Sequence, residues 1–254
     1  MRVLVTFAVE AELAPWRKLR GLERLSVDGI DVYKAQIGRA QVHFVVTGMG
    51  MENAARVADA VMKQPYQFCI SSGFAGALGD TSAVGDILVA DALQQLGKAK
   101  TLQCSRNLVY AARDDGAKQV KLFLTCDHVV RTVEEKAQLA PFAGAVEMES
   151  FAIAAASYAH QLPVVAIRVI SDTTKRDLPI RMETMVDADG NVSVGGVVRQ
   201  IVRHPLQLPA LIRLGRESST AAEALANFLE AFIKKLSFST HGWPPPEVQE
   251  VAAR

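Results

Sequence analysis

The chain has 254 residues, of which 50% are hydrophobic and 22% are charged, and its formal net charge is +1. This composition suits one folded domain with a large core, and a charge near zero gives no general case for nucleic-acid binding. No apolar run reaches the roughly 18 residues that a membrane-spanning helix needs. The cysteines Cys69, Cys104 and Cys126 form no C-x-x-C pair. We therefore expect buried, reduced thiols and neither a disulfide nor a metal site.

The first two thirds of the chain alternate predicted strands and helices. Residues 2–9 predict a first strand rather than a signal peptide. Further strands are predicted at 30–37, 41–47, 68–71, 85–90 and 118–125, and helices at 10–19, 52–63, 106–115 and from 132 onward, whereas residues 92–104 look irregular. The alternation predicts an α/β fold, a three-layer α/β/α arrangement with a mixed, mainly parallel central sheet.

The composition changes after residue 172. Residues 175–196 are polar, and residues 196–235 predict helix in two or three pieces that break near Pro205 and Pro209. We expect a single domain over residues 1–240, with 175–240 as an extra helical region. Residues 241–254 contain three consecutive prolines and predict a poorly ordered tail.

Acidic residues lie at the ends of two predicted strands. Glu147 and Glu149 are two residues apart, so they point the same way on an extended strand. Glu149 also opens an apolar run that predicts a helix, whose dipole could keep this carboxylate ionised. Residues 164–170 predict a buried strand that ends in Ser171 and Asp172, at the edge where open α/β sheets bind ligands. Taken singly, Glu149 and Asp172 could equally be an N-terminal helix acid and a turn residue.

Together, the strings Val146-Glu-Met-Glu149 and Arg168-Val-Ile-Ser-Asp172 resemble two motifs of the purine nucleoside phosphorylase and nucleosidase superfamily. The nearest resemblance is to the nucleosidases that act on methylthioadenosine and adenosylhomocysteine. The start Phe7-Ala-Val-Glu-Ala-Glu-Leu13 and the G-x-A-G turn at Gly73 to Gly76 extend it over about the first 172 residues. It implies an enzyme that cleaves the bond between ribose and a purine, with adenine as the expected base.

The resemblance also sets expectations for cofactors, partners and location. No cofactor is expected, and phosphate would be a co-substrate if the enzyme is a phosphorylase. The ligand would be a purine nucleoside, and the protein would form a homodimer or a higher homo-oligomer. The lack of a signal peptide and the separated cysteines favour a cytoplasmic location.

Cleaving such a bond requires two carboxyl groups with different tasks. One protonates the leaving purine, and the other activates the nucleophile that meets the positively charged ribosyl carbon. Asp172 is the expected acid, because partial desolvation at the end of a buried strand favours the protonated form. Glu12 is the expected base, with Glu10 as the alternative if the register shifts. Both glutamates could instead simply favour a helix N-terminus.

The resemblance assigns further residues to the nucleoside. Glu149 would bind the ribose 2′- and 3′-hydroxyls, and Met148 would lie against the sugar. Glu147 and Arg168 would form a supporting pair, or Arg168 would hold the water or an anion. The residues expected to bind substrate are Phe74, Ala75, Gly76, Val129, Val130, Glu147, Met148, Glu149, Arg168 and Ser171. Many relatives have Ser at the position of Phe74 and stack a Phe where Val129 stands, so the preference for adenine is left open.

The nucleophile is also left open by the sequence. Classical phosphorylases of this superfamily carry an Arg just before the glycine turn, and here Ser72 precedes Gly73. This favours water, although Arg39, Arg168 or Arg176 could bind a phosphate.

Three alternative functions remain at this stage. Residues 197–215 resemble the tail of the hopanoid-associated phosphorylases, which implies release of adenine from adenosylhopane. Residues 199–216 are basic and apolar, so they could contact a membrane surface or pack as an amphipathic helix on the domain. The segment Thr47-Gly-Met-Gly-Met-Glu-Asn53 weakly matches a dinucleotide-binding fingerprint. A catalytically inactive nucleoside-binding protein is the third alternative.

Overall fold

Ten strands and six helices make up residues 1–178 and 208–238, the part of the chain that the computed structural model describes. The strands are β1 (Arg2–Phe7), β2 (Glu23–Val27), β3 (Ile30–Ile37), β4 (Ala40–Val46), β5 (Phe68–Ala77), β6 (Ile87–Gln95), β7 (Thr101–Gln103), β8 (Lys118–Thr125), β9 (Ala145–Glu147) and β10 (Val164–Asp172). The helices are α1 (Glu10–Leu19), α2 (Met51–Val61), α3 (Arg106–Asp114), α4 (Val133–Leu139), α5 (Ser150–Ala159) and α6 (Leu208–Phe238).

Strand β5 is the centre of the sheet because it pairs with three other strands. It runs parallel to β1 and to β10, and its last two residues pair with β9 in the antiparallel sense. The order β10–β6–β8–β9 then returns to β5, so these five strands form a closed ring. The strands β1, β4, β3 and β2 continue the sheet on the other side of β5. The parallel strands β1, β4, β5 and β10 therefore end at one common edge.

The core forms where this sheet meets the helices. The strand residues Leu4, Val5, Ile70, Val165 and Ile167 are fully buried, as the continuous apolar runs predicted. Helix α2 packs against α5, and α6 packs against α1 and β10. The predicted three-layer α/β architecture with a mixed sheet is confirmed.

The structure corrects several predicted boundaries. β5 continues to Ala77 instead of ending at Ser71, because β10 pairs with it as far as Gly76. β6 and β7 occupy most of the segment that looked irregular at 92–104. β2 was not predicted, because its residues are half or fully exposed and lack a clear apolar face.

Helix α6 begins at Leu208 and runs without interruption to Phe238, so Pro209 lies in its first turn, and the chain just before it lies outside the described residues. A proline is tolerated there since the first helical turn makes no internal hydrogen bond through its N–H groups. Pro205, the polar residues 179–196 and the expected tail at 241–254 lie outside the described residues. The single domain over residues 1–240 stays a prediction.

Helix α6 contributes a large share of the core. Its residues Ala221, Leu225, Leu229, Phe232 and Ile233 are fully buried. They belong to the same hydrophobic cluster as the central strands. No helix within residues 1–178 and 208–238 is long and apolar enough to cross a membrane. Because its buried residues share that cluster, the apolar face of α6 packs on the sheet.

We expect Phe232→Ala to lower the free energy of unfolding by about 3–5 kcal/mol, because the neighbouring side chains cannot fill the cavity that it leaves. Ile212 lies on the same helix with 50% of its surface exposed. Ile212→Ala should change the free energy by no more than about 0.5 kcal/mol. Urea unfolding of both variants measures the difference, and equal effects would show that α6 does not share the core.

Candidate active site

A cavity of about 230 Å³ lies at the edge where β1, β5 and β10 end. It brings together eleven of the twelve residues that the sequence predicted for the site. These are Glu12, Phe74, Ala75, Gly76, Val129, Val130, Glu147, Met148, Glu149, Ser171 and Asp172. The twelfth residue, Arg168, is not part of the lining.

Arg168 is fully buried next to the cavity, and each nitrogen of its guanidinium group donates a hydrogen bond. Its Nη2 donates to Glu147 Oε2 at 2.6 Å and to Ser150 Oγ at 2.8 Å, and its Nη1 donates to the Ser72 carbonyl at 2.8 Å. Its Nε donates to Ser150 Oγ at 3.2 Å. Because these partners occupy the guanidinium, the geometry fits a supporting pair with Glu147 rather than a ligand for an anion.

Glu147 caps the helix that follows it. Its Oε2 accepts hydrogen bonds from the backbone N–H groups of Glu149 at 2.9 Å and Ser150 at 2.6 Å, and its Oε1 accepts from Thr125 Oγ1. These N–H groups open α5 and have no partner inside the helix. Glu147, and not Glu149, is therefore the N-terminal acid of this helix, which leaves the Glu149 carboxyl to the cavity.

Glu149 is buried, and burial raises the pKa of its carboxyl group to about 7. Arg168, whose Nη2 lies 3.7 Å from Glu149 Oε2, lowers this pKa, and the nearby Glu147 raises it further. Glu149 Oε1 accepts a hydrogen bond from the Gly50 N–H at 2.9 Å. Burial thus opposes the helix dipole, which alone would favour the ionised carboxylate at this position.

Glu12 is the third residue of α1, and three backbone donors fix its carboxyl group. Oε2 accepts from Ala8 N at 2.7 Å and Val9 N at 3.2 Å, and Oε1 accepts from Phe74 N at 2.7 Å. Burial raises the pKa of Glu12 above its ordinary value, against the lowering effects of Arg168 and these donors. Glu10, the alternative base, is 55% exposed and pairs with Arg17, so it does not reach the cavity.

A glycine at position 73 is needed for these groups to approach each other. Gly73 has a φ of 141°, and a Cβ added there would lie 2.7 Å from Glu12 Oε1 and in contact with Arg168 Nη1. A Cβ on Gly76 would lie 3.2 Å from Asp172 Oδ2. The two glycines of the predicted turn thus border the two predicted catalytic carboxyl groups.

Asp172 has a partner that the sequence analysis missed. Its Oδ2 accepts a hydrogen bond from Nζ of Lys136, whose side chain is fully buried, and its Oδ1 accepts from Ser171 Oγ at 3.0 Å. Asp172 is partly desolvated, as expected, and it also forms an ion pair that the sequence did not indicate. Lys136 lies on α4, which at seven residues is too short for its buried face to show as a periodic pattern.

The remaining walls are mostly apolar. Phe74 lines the cavity together with Val129 and Val130, so an aromatic ring is present although the expected stacking position holds a valine. Cys126 also lines it, and burial raises the pKa of this thiol to about 12. All three cysteines are free and buried, as predicted. Within residues 1–178 and 208–238, no group of three or more His, Cys, Asp or Glu side chains could hold a metal ion.

The arginines considered as phosphate ligands lie elsewhere. The Arg39 guanidinium stacks on the Phe238 ring at 5.2 Å, and Arg176 lies 3.9 Å from Glu217. No lysine or arginine of the described residues lines the cavity. The glycine loop considered for a dinucleotide donates its Gly50 N–H to a carboxylate, which would repel a pyrophosphate.

Comparison with known proteins identifies the family. The model of the phosphorylase superfamily matches residues 2–203, and the chain belongs to this superfamily. The prediction of an enzyme of the nucleosidase and nucleoside phosphorylase type is confirmed at this level.

Particular relatives are nucleosidases. The 5′-methylthioadenosine/S-adenosylhomocysteine nucleosidase of Staphylococcus saprophyticus is 28% identical over 205 residues, which cover 71% of this chain and 90% of the relative. The structure of the enzyme of that name from Campylobacter jejuni has a TM-score of 0.71 at 17% identity and covers 92% of this chain and 99% of its own. Native futalosine hydrolase of Helicobacter pylori has a TM-score of 0.70 at 19% identity, with 92% and 98% covered. These structures share the fold.

We expect the stability of the ligand-free protein to fall as the pH rises from about 5 to 7.5 and Glu149→Gln to weaken this dependence. A carboxyl group whose pKa is raised by folding, here from 4.5 to about 7, stabilises the fold below its unfolded pKa. That contribution is lost as the pH rises through the folded pKa, and a glutamine does not titrate. Urea unfolding at several pH values measures it, with the exposed Glu10→Gln as control. Parallel curves for wild type and Glu149→Gln would contradict the assignment.

Proposed function

We propose that the protein hydrolyses the N-glycosidic bond of a purine nucleoside of the methylthioadenosine or adenosylhomocysteine class. One observation carries the proposal: a single cavity contains the carboxyl groups of Glu12 and Asp172. They lie beside Gly73 and Gly76, which are three positions apart on a strand, or roughly 10 Å. That distance leaves room for a ribosyl ring between a proton donor at the base and a proton acceptor at the sugar.

Asp172 is the proposed general acid. The purine leaves readily only when one of its ring nitrogens is protonated as the bond breaks. Asp172 Oδ1 carries that proton, and the electron pair of the glycosidic bond passes to the purine. The position at the end of β10, with 13% of the side chain exposed, supports a donor that faces substrate and little water.

Glu12 is the proposed general base. It accepts a proton from the water that attacks the ribosyl carbon. Its three backbone hydrogen bonds support this role, because they fix the carboxyl group before substrate binds and no reorganisation is needed during the reaction.

The charge balance of the site favours the transition state. Arg168 is one buried cation close to three buried acids, Glu12, Glu147 and Glu149, so ionising all three leaves an excess of negative charge. The ribosyl group becomes positive as the bond breaks and supplies the missing charge. This stabilisation is larger in the transition state than in the ground state, which is the condition for a gain in rate. Glu149 also binds the ribose hydroxyls, and Met148 contacts the sugar.

Water is the proposed nucleophile. A phosphate dianion is bound by cationic side chains or by N–H groups that donate hydrogen bonds to it. Near the expected point of attack, the backbone N–H groups of Ala8, Val9 and Phe74 already donate to the Glu12 carboxyl group. Arg168 is occupied by other partners, and neither Arg39 nor Arg176 lines the cavity, which argues against a phosphate site in it.

The substrate class rests on the relatives, whose names specify methylthioadenosine and adenosylhomocysteine. Leu214 of α6 lines the cavity and adds to its apolar wall. This apolar wall favours release of adenine from a lipid nucleoside such as adenosylhopane as a second candidate activity. The homo-oligomeric state and membrane contact through residues 199–216 stay predictions, and residues 199–207 lie outside the described part of the chain.

We expect Asp172→Asn to lower turnover of the best purine nucleoside by about 100- to 10,000-fold, because asparagine cannot donate a proton to the leaving base. Candidate substrates are methylthioadenosine, adenosylhomocysteine, adenosine, inosine and a lipid-linked adenosine. Asp80, an exposed residue that accepts a hydrogen bond from Thr174, provides the control Asp80→Asn, which should remain within roughly twofold of wild type. Near-normal turnover by a folded Asp172→Asn would exclude this acid, and no release of purine by wild type would leave an inactive binding protein.

The sugar product distinguishes hydrolysis from phosphorolysis. We expect free sugar and an unchanged rate when phosphate is omitted, because no lysine or arginine of the described residues lines the cavity. Chromatography or mass spectrometry of the products with and without phosphate provides the test. A sugar 1-phosphate formed at a phosphate-dependent rate would show that the enzyme is a phosphorylase.

A further inference from the structure

Lys136 carries a buried ammonium group that has no role in the mechanism proposed above. Its side chain has no exposed surface, and its Nζ donates to Asp172 Oδ2 and to the Thr173 carbonyl at 2.9 Å. Lysine is almost never fully buried unless it is paired, because removing the ammonium from water is costly. A lysine held directly behind the proposed acid therefore calls for an explanation.

Two hydrogen bonds hold α4, which carries Lys136, next to the segment that follows Asp172. Val133 N, at the start of α4, donates to Asp177 Oδ1 at 2.8 Å. Leu178 N donates to the Arg131 carbonyl at 2.9 Å. The segment that follows Asp172 is thus tied to the N-terminus of α4. Thr132 caps the same helix by accepting the Glu135 N–H at 3.1 Å.

The ammonium group makes the two oxygens of Asp172 unequal. Oδ2 is taken by Lys136, which is absent from the cavity lining, whereas Asp172 itself lines the cavity. Oδ1 has only the Ser171 hydroxyl as a partner among the described residues. A proton that reaches the purine must then come from Oδ1.

We propose that Lys136 is a positioning residue that turns Asp172 Oδ1 toward the purine and stabilises the carboxylate that Asp172 becomes. This inference rests on the proposed function. The O–H bond at Oδ1 breaks, an N–H bond forms on the purine, and Lys136 keeps all three of its protons. The new carboxylate forms beside a fixed cation in a site with little water, where their attraction is strong.

A double-mutant cycle tests whether Lys136 acts through Asp172. Lys136→Met, which keeps the length of the apolar stem, should lower kcat on the purine nucleoside at least 30-fold with a small change in KM. Lys136→Arg should retain at least tenfold more activity than Lys136→Met. Adding Lys136→Met to Asp172→Asn should cost less than threefold more. An equal loss in both backgrounds would overturn the proposal.

A substrate with an activated leaving group separates this role from a structural one. The nitrophenolate of 4-nitrophenyl riboside departs without protonation, so Lys136→Met should change its turnover less than threefold. Loss of both substrates to the same extent would make Lys136 structural and overturn the inference. The control is Lys118→Met, an exposed lysine that pairs with Asp86 at 2.6 Å and should leave both rates unchanged.

The activity of wild type shows whether a negative result concerns the proposed function or only the role of Lys136. If wild type releases no purine from any nucleoside, the proposed function fails and the inference fails with it. If wild type is active and Lys136→Met retains full purine turnover, only the inference fails. Should Lys136→Met not fold, the variant that combines it with Asp172→Asn removes both buried charges, and Lys136→Arg still tests the need for a cation at this position.

Discussion

One buried cation determines how this site is built. Arg168 lies in the middle of β10 and contacts Ser72, Glu147 and Ser150, so it joins β5, β9 and α5 at one point. A guanidinium group without exposed surface is tolerated only when its donors are paired, and here they are. Because it is one charge close to three acids, ionising all three leaves an excess of negative charge in the site. The proposed affinity for a developing ribosyl cation depends on that excess.

The sequence predicted the fold class and most of the central strands, because buried parallel strands appear as continuous apolar runs. It could not predict where β5 ends. Residues 72–77 resemble a glycine turn locally, and they are strand only because β10 and β9 pair with them. Such pairing depends on contacts between residues far apart in the chain. The edge strand β2 was missed for a related reason, since it has no buried face to leave an alternating pattern.

The candidate site was predicted mainly from motifs. A motif specifies the types of residue at a site, but it does not specify how deeply each side chain is buried or which groups it contacts. The motifs indicated Glu12, Glu149 and Asp172, all of which line one cavity. They gave no information on which acid would cap α5 or how far burial would outweigh the helix dipole at Glu149. Lys136 was missed because a lysine on a short helix predicts a solvent-exposed side chain, and only the tertiary structure places it against Asp172.

Cys126 has a consequence for the chemical durability of the enzyme. It lines the cavity, yet burial raises the pKa of its thiol to about 12, so very little of it is the reactive thiolate near pH 7. Peroxide and alkylating reagents attack the thiolate, and they should therefore modify this residue very slowly. Covalent labelling at this cysteine would therefore be a poor reporter of ligand occupancy.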